Sequence, residues 1–256
     1  MELVFVGVGS AFTSSEYYHS NILARAGELT ERKQLLIDCG SDARHSLRCE
    51  GITNENVGQK IDAVYISHIH MDHMGGLEWL GFCSFFNPEA ERPKLYIAAD
   101  LVAPLWNSLR CGMEWHQDRR LTLEDFFDVR PIQDWFAWGG AKFHLVRTYH
   151  IRRPDGSYVP SYGLFIEGPA KTALITTDTC VHEGLMSYYR EARYIFHDCE
   201  TGQHKSGVHA HYDDLKDLPH EIRQKMWLYH YYPNPEQKPA ADGFADFVRR
   251  RDTFFI

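Results

Sequence analysis

The densest chemistry in the chain lies in six residues, His68-Ile69-His70-Met71-Asp72-His73. Alternate side chains of an extended segment point to the same side, so His68 and His70 can both face one metal ion. Asp72 and His73, further along, can face a second. Imidazole and carboxylate together suit zinc better than the oxygen-only shells of magnesium or calcium. The competing reading is a solvated polar loop, but three histidines and an aspartate within six residues, directly after an apolar strand, fit that poorly. The chain carries 15 histidines in 256 residues, and histidine is the commonest metal ligand and the usual proton carrier near neutral pH.

Such a motif needs elements to hold it. Ile61–Ile66 reads as a buried strand that delivers the motif, and Leu77–Phe86, after Gly75-Gly76, has helical spacing. Upstream, Leu3–Gly7 reads as a strand running into the tight loop Gly7-Val8-Gly9-Ser10. Asn21–Ala24 and Gln34–Asp38 follow as strands, and Ser41–Glu50 as a helix. Lys94–Ala98 is a strand and Leu101–Cys111 a helix. Further strands are expected over Lys142–Thr148, Tyr162–Glu167, Thr172–Thr176, Arg193–Phe196 and Lys225–Tyr229, with helices over Asp213–Gln224 and Asp242–Arg251. Gly112–Gln133, mixed in charge and rich in aromatics, receives no assignment. The strands keep ending at His or Asp, which places those residues along one sheet edge where loops converge. No repeat, linker or low-complexity stretch divides residues 1–256, so one domain is expected.

Strand-Ser67-His68-x-His70-x-Asp72-His73-x-Gly75-Gly76 resembles the signature of the metallo-β-lactamase superfamily. The resemblance implies an α/β fold, a four-layer αββα sandwich with its metals at one edge of the two sheets. Gly7-Val8-Gly9-Ser10-Ala11 is similar to the opening loop of the phosphodiesterase branch, and Asp38-Cys39-Gly40 to the Asp-x-Gly turn before the first helix. In the family order the resemblance implies His150 as the third ligand of the first metal, Asp178 as the bridging carboxylate and His230 as the closing ligand of the second. The implied set is therefore His68, His70, Asp72, His73, His150, Asp178 and His230, holding two zinc ions, with manganese as the alternative metal. True β-lactamases have cysteine where this chain has Asp178, and flavodiiron proteins have glutamate where it has His70. Thioesterases of the glyoxalase II type add a C-terminal helical domain, for which little chain follows His230.

Phe196-His197-Asp198-Cys199-Glu200 resembles the His-Glu-Ala segment of ribonuclease Z-like enzymes, and Ser206–His211 their histidine-containing loop. That likeness implies a catalytic set of Asp72, His209 as proton donor to the leaving oxygen, and Asp198 orienting it, with a metal-activated hydroxide cutting a phosphodiester. His211 either caps the following helix or trades roles with His209. Gly75–Gly81 and Val208–Leu215 further resemble the phosphodiesterases known as anti-Pycsar proteins, which hydrolyse cyclic mononucleotides such as cCMP and cUMP, and often cAMP and cGMP. This implies a small cyclic-nucleotide substrate and a homodimer in which Gly112–Gln133, with Trp115 and His116, caps the partner's site. Trp115, Tyr158 or Tyr162 is expected to line the base pocket.

Composition narrows the alternatives. The net charge of −8 argues against a large nucleic-acid surface, since phosphate contacts need clustered Lys and Arg. The basic arm with which ribonuclease Z grips tRNA has no counterpart here. An RNA endonuclease is thus the second reading, and a non-catalytic or cofactor-biosynthesis member of the fold the third. The six cysteines form no C-x-x-C pair and read as buried thiols of a reducing compartment. Met1–Ser10 lacks the basic and long apolar regions of a secretory signal, and no run of 18 apolar residues occurs. A cytoplasmic protein is expected.

Overall fold

The computed structural model describes residues 1–27 and 33–256. Its first half supplies strands β1 Glu2–Phe5, β2 Ile22–Ala26, β3 Lys33–Ile37, β4 Ala63–Ile66, β5 Lys94–Ala98, the two-residue pair β6 Trp115–His116 and β7 Arg119–Arg120, and β8 Asp128–Ile132. The second half supplies β9 Trp135–Trp138, β10 Ala141–Arg147, β11 Tyr162–Glu167, β12 Thr172–Ile175, β13 Tyr194–Asp198, β14 Met226–Tyr229, β15 Asp246–Phe247 and β16 Thr253–Phe255.

All the strands but β6 and β7 form two seven-stranded sheets, ordered β16-β1-β2-β3-β4-β5-β8 and β15-β14-β13-β12-β11-β10-β9. Each is antiparallel over one half and parallel over the other: β3, β4, β5 and β8 run parallel, as do β12 to β15. Alternation decides what each strand side packs on. Leu3, Phe5, Leu35, Ile37 and Tyr65 face the second sheet and join Phe143, Leu164, Ile166 and Phe196 in one apolar cluster. Their neighbours Val4, Leu36, Val64 and Ile66 face Leu77, Leu80, Leu105 and Leu109 of the helices Leu77–Phe85 and Val102–Met113. Helices Met186–Glu191, Tyr212–Lys216 and His220–Arg223 cover the second sheet with Tyr189, Leu215 and Ile222. Strands buried on both faces read as unbroken apolar runs, which is why β1, β3 and β4 were recognisable. The result is the expected αββα sandwich.

Two expected helices are corrected. Asp213–Gln224 is two short helices, because Pro219 lacks the N–H that would continue the first and instead caps the second. Asp242–Arg251 holds β15 and turns, with Gly243 at φ 85° and Arg251 at φ 71°. Its buried Phe244, Phe247 and Val248 imitate helical spacing, yet Phe247 pairs with Leu228 of β14 as a strand. Gly112–Gln133 contains the β6–β7 hairpin, a turn of helix Leu123–Phe126 opened by a Thr122–Asp125 capping box, and β8. The helix Met186–Glu191 and the strand β9 carried too little periodic signal to be expected.

Candidate metal centre

Most residues of the centre sit at or just beyond a strand's end, largely at the C-terminal ends of parallel strands, and Asp72 and His73 lie on the helical turn Met71–Met74 that follows β4. Ser67 and His68 follow β4, His150 follows β10, Asp178 follows β12, Asp198 closes β13 and His230 follows β14. Three non-glycine residues at these exits adopt left-handed backbone: Asp38 (φ 58°), Thr177 (φ 52°) and His230 (φ 61°). For a β-branched threonine this is a true outlier, and such strain survives only where surrounding bonds enforce it. The Thr177 hydroxyl donates to the Thr176 carbonyl at 2.6 Å, and the His230 N–H to the Val8 carbonyl at 2.7 Å.

The seven side chains expected as ligands meet in two groups that share one carboxylate. His68, His70, His150 and Asp178 form the first; Asp72, His73, His230 and Asp178 form the second. In the first, His70 Nδ1 lies 3.0 Å from His68 Nε2 and 3.1 Å from His150 Nε2, and Asp178 Oδ2 is 3.7 Å from each of the latter two. In the second, Asp178 Oδ1 is 3.1 Å from His73 Nε2 and 3.3 Å from His230 Nε2, while Asp72 Oδ2 is 3.3 Å from both. Asp178 thus turns one oxygen to each group.

The far sides of these imidazoles are held. His73 Nδ1 donates to Asp38 Oδ2 at 2.7 Å, and Asp38 also accepts from the Ser67 N–H and hydroxyl, both at 2.8 Å. His150 Nδ1 donates to the Val208 carbonyl at 2.7 Å. Asp198, fully buried, accepts from His230 Nδ1 at 3.2 Å with Oδ1, and from His209 Nδ1 at 2.8 Å and the Thr179 N–H at 2.9 Å with Oδ2. Such partners fix which nitrogen faces inward and raise its basicity. Asp38 and the Val208 carbonyl were not expected as site groups. The Asp38-Cys39-Gly40 turn was the one available signal for the former.

Charge is distributed unevenly. Burial, then the neighbouring His73, holds His68 well below its usual range, and burial also lowers His70 and His150. Burial thus favours the neutral form of all three imidazoles, the form with a lone pair to give. In the second group, burial favours neutrality, but the surrounding Asp178, Asp72 and Asp198 carboxylates outweigh it and push His230 up to about 10. The same balance, with Asp178, Asp72 and Asp38, raises His73 well above its usual value. Carboxylates buried this deeply require positive charge beside them.

A divalent metal fits the residues present. His73 Nε2 and Asp178 Oδ1 are buried with no hydrogen-bond partner, at the point where the second group converges. Separations of 3.0–3.7 Å between donors bracket the edge of about 3.3 Å expected for a tetrahedron with bonds of about 2.0 Å. The donor chemistry, nitrogen with carboxylate oxygen, suits a borderline cation. The centre is a divalent metal site.

Two histidines follow different paths. His209 is partly exposed, with its ring 4.8 Å from that of His150 and 5.0 Å from that of His230. Burial lowers its affinity for a proton, but Asp198 and then Asp178 overcome this and raise it. His211 is the N-cap of helix Tyr212–Lys216, accepting from the Asp213 N–H and donating to the Gly202 carbonyl. Of the expected base-pocket aromatics, Tyr162 gives its hydroxyl to Asp100, Tyr158 stacks on Tyr149 beside His150, and Trp115 stands exposed on the β6–β7 hairpin.

The sandwich matches that of the metallo-β-lactamase fold protein YhfI from Bacillus subtilis, with a TM-score of 0.75 over 99% of this chain and 98% of that one at 17% identity. Fold and site together define a metal-dependent hydrolase of the metallo-β-lactamase class. The family model described as Anti-Pycsar protein Apyc1 matches residues 1–254. The chain is 38% identical over 265 aligned residues to the Anti-Pycsar protein Apyc1 of Paenibacillus sp. (strain J14), covering 100% of this chain and 99% of the relative. It is 33% identical to the protein of the same name from Bacillus phage vB_BveM-Goe7, covering 97% and 96%. The chain belongs to the Anti-Pycsar Apyc1 family, and is a metal-dependent phosphodiesterase.

Proposed function

We propose that the chain hydrolyses 3′,5′-cyclic mononucleotides, cCMP and cUMP together with cAMP and cGMP, to 5′-monophosphates, and so removes a nucleotide signal of antiphage defence. His68, His70, His150 and Asp178 would hold one zinc ion, and Asp72, His73, His230 and Asp178 the other, with manganese as the alternative metal. It works as a cytoplasmic homodimer in this reading. The observation that carries it is the shared carboxylate of Asp178 between two donor groups, with His209 standing beside both. When bound, a metal pair supplies Lewis acidity toward the phosphate oxygens and a water acidified toward neutral pH.

The chain's own residues do the rest. Asp198 takes the Nδ1–H of His209, which leaves Nε2 to carry the mobile proton. Opening the ring toward a 5′-monophosphate breaks the bond from phosphorus to the 3′ oxygen, and His209 Nε2 delivers its proton there. The Asp198 and Asp178 carboxylates that raise His209 favour its protonated form.

Incubating metal-loaded protein with cyclic mononucleotides, pre-tRNA and a thioester tests this reading. The expected result is 5′-CMP from cCMP. Cleavage of pre-tRNA alone would favour the RNA endonuclease reading, which the charge of −8 opposes.

A further inference from the structure

In the reading above a phosphodiester sits at the paired donors, and its nucleobase rests on the groups that border them. Among the described residues seven large apolar side chains are conspicuously exposed, and three of them border the donor loops. Met71, 62% exposed, lies between His70 and Asp72; Tyr149, 38% exposed, directly precedes His150. Phe12, 78% exposed, lies two residues beyond Ser10, whose N–H is bonded to the carbonyl of Tyr231 next to His230. A single exposed apolar side chain needs no explanation, but three around one polar centre do.

Two of them are held in place. Tyr149 is stacked between Tyr158 at 4.5 Å and His182 at 4.1 Å, with interplanar angles of 10° and 23°. Both ring nitrogens of His182 are buried without a hydrogen-bond partner, so packing is what His182 contributes there. The Tyr149 N–H donates to Thr179 Oγ1 and its carbonyl accepts from the Cys180 N–H, tying it to the loop that carries Asp178. Phe12 lies parallel to Tyr232 at 6.5 Å and 14°. Rings ordered beforehand lose less freedom on binding. Every nucleobase has an apolar face that such groups can contact, and Tyr149, covered on both faces, offers the ring edge that suits an edge-to-face pair.

We infer that Phe12, Met71 and Tyr149 form the subsite for the nucleobase, gripping it through apolar and aromatic contact, with Tyr158 and His182 as positioning residues for Tyr149. This rests on the cyclic-nucleotide reading above. The test compares kcat/KM for cCMP and for methyl riboside 3′,5′-cyclic phosphate, which has no base, in full-length metal-loaded protein. Phe12→Ala, Met71→Ala and Tyr149→Ala are each expected to raise KM for cCMP about tenfold and to shrink the preference for cCMP over the base-free substrate by the same factor. Tyr149→Phe should recover most of that loss, and the dissociation constant of 5′-CMP, read by calorimetry, should follow KM. Metal content is measured on each variant; Phe12→Ala, outside the donor motif, decides the matter if Met71→Ala loses metal. If the wild type turns over neither substrate, the proposed function fails and the subsite with it. If turnover stands but the preference for cCMP is unchanged in Phe12→Ala and Tyr149→Ala, the subsite alone is overturned.

Discussion

Asp198 reaches two imidazoles with its two oxygens, His230 with one and His209 with the other. A single carboxylate thereby orients a metal-facing nitrogen and a proton-bearing one. His209→Ala should lower kcat by ~10²–10⁴ with metal content unchanged, and Asp198→Asn by about 10–100-fold; steady-state kinetics beside elemental analysis reads both. Full activity in His209→Ala would remove it from the reaction. The neighbouring His197 shows the opposite use of a histidine. It is fully buried, donates from Nδ1 to the Asp198 carbonyl at 2.7 Å and accepts the Tyr189 hydroxyl at 2.5 Å on Nε2, and burial lowers its pKa to about 4. In the unfolded chain the same ring titrates near 6.5. The unfolded state therefore binds the extra proton between pH 6.5 and about 4, and stability present above 6.5 is lost as pH falls through that window, by on the order of 3 kcal/mol. Urea unfolding at pH 7 and pH 4.5 should show a smaller difference in His197→Asn than in the wild type. Residues such as His68 to His73 were legible because their neighbours in space are neighbours in sequence. Asp38 was not assigned a role because its bond to His73 spans 35 positions.

At the scale of elements, the sequence marked strands well wherever both faces are buried, as in β4 and β12, and marked their exits through His and Asp. It failed where a tertiary contact chose the conformation. Nothing local distinguishes Phe244, Phe247 and Val248 from a helix stripe; pairing of Phe247 with β14 decides it. The β6–β7 hairpin is only two residues on each side, too short for any period to register. Glycines near the site were easier, since their need is steric. A Cβ on Gly7 would stand 1.9 Å from the His19 carbonyl oxygen, backbone against backbone. Gly7→Ala should therefore cost about 2–3 kcal/mol and displace the loop whose Val8 carbonyl holds the His230 N–H. A lowered urea midpoint with weaker metal retention is the expected outcome, and an unchanged midpoint would show that the loop yields freely.

Over the whole molecule, two sheets of like construction bring donors from β4, β10, β12 and β14 to one edge. Motif order implied that meeting and the family resemblance implied Asp178 as its bridging carboxylate, but the strain at Thr177 and His230 needed the three-dimensional arrangement. No helix among the described residues is long and apolar enough to cross a membrane. The proposed homodimer predicts a solution mass of twice 29.7 kDa by light scattering; a peak at the single-chain mass would contradict it. The most direct measurement is metal stoichiometry under saturating zinc, by plasma mass spectrometry on gel-filtered protein. Two ions per chain are predicted, falling to none or nearly none in Asp178→Ala. One ion or fewer in the wild type, or two retained without Asp178, would contradict a dinuclear centre built on a shared carboxylate.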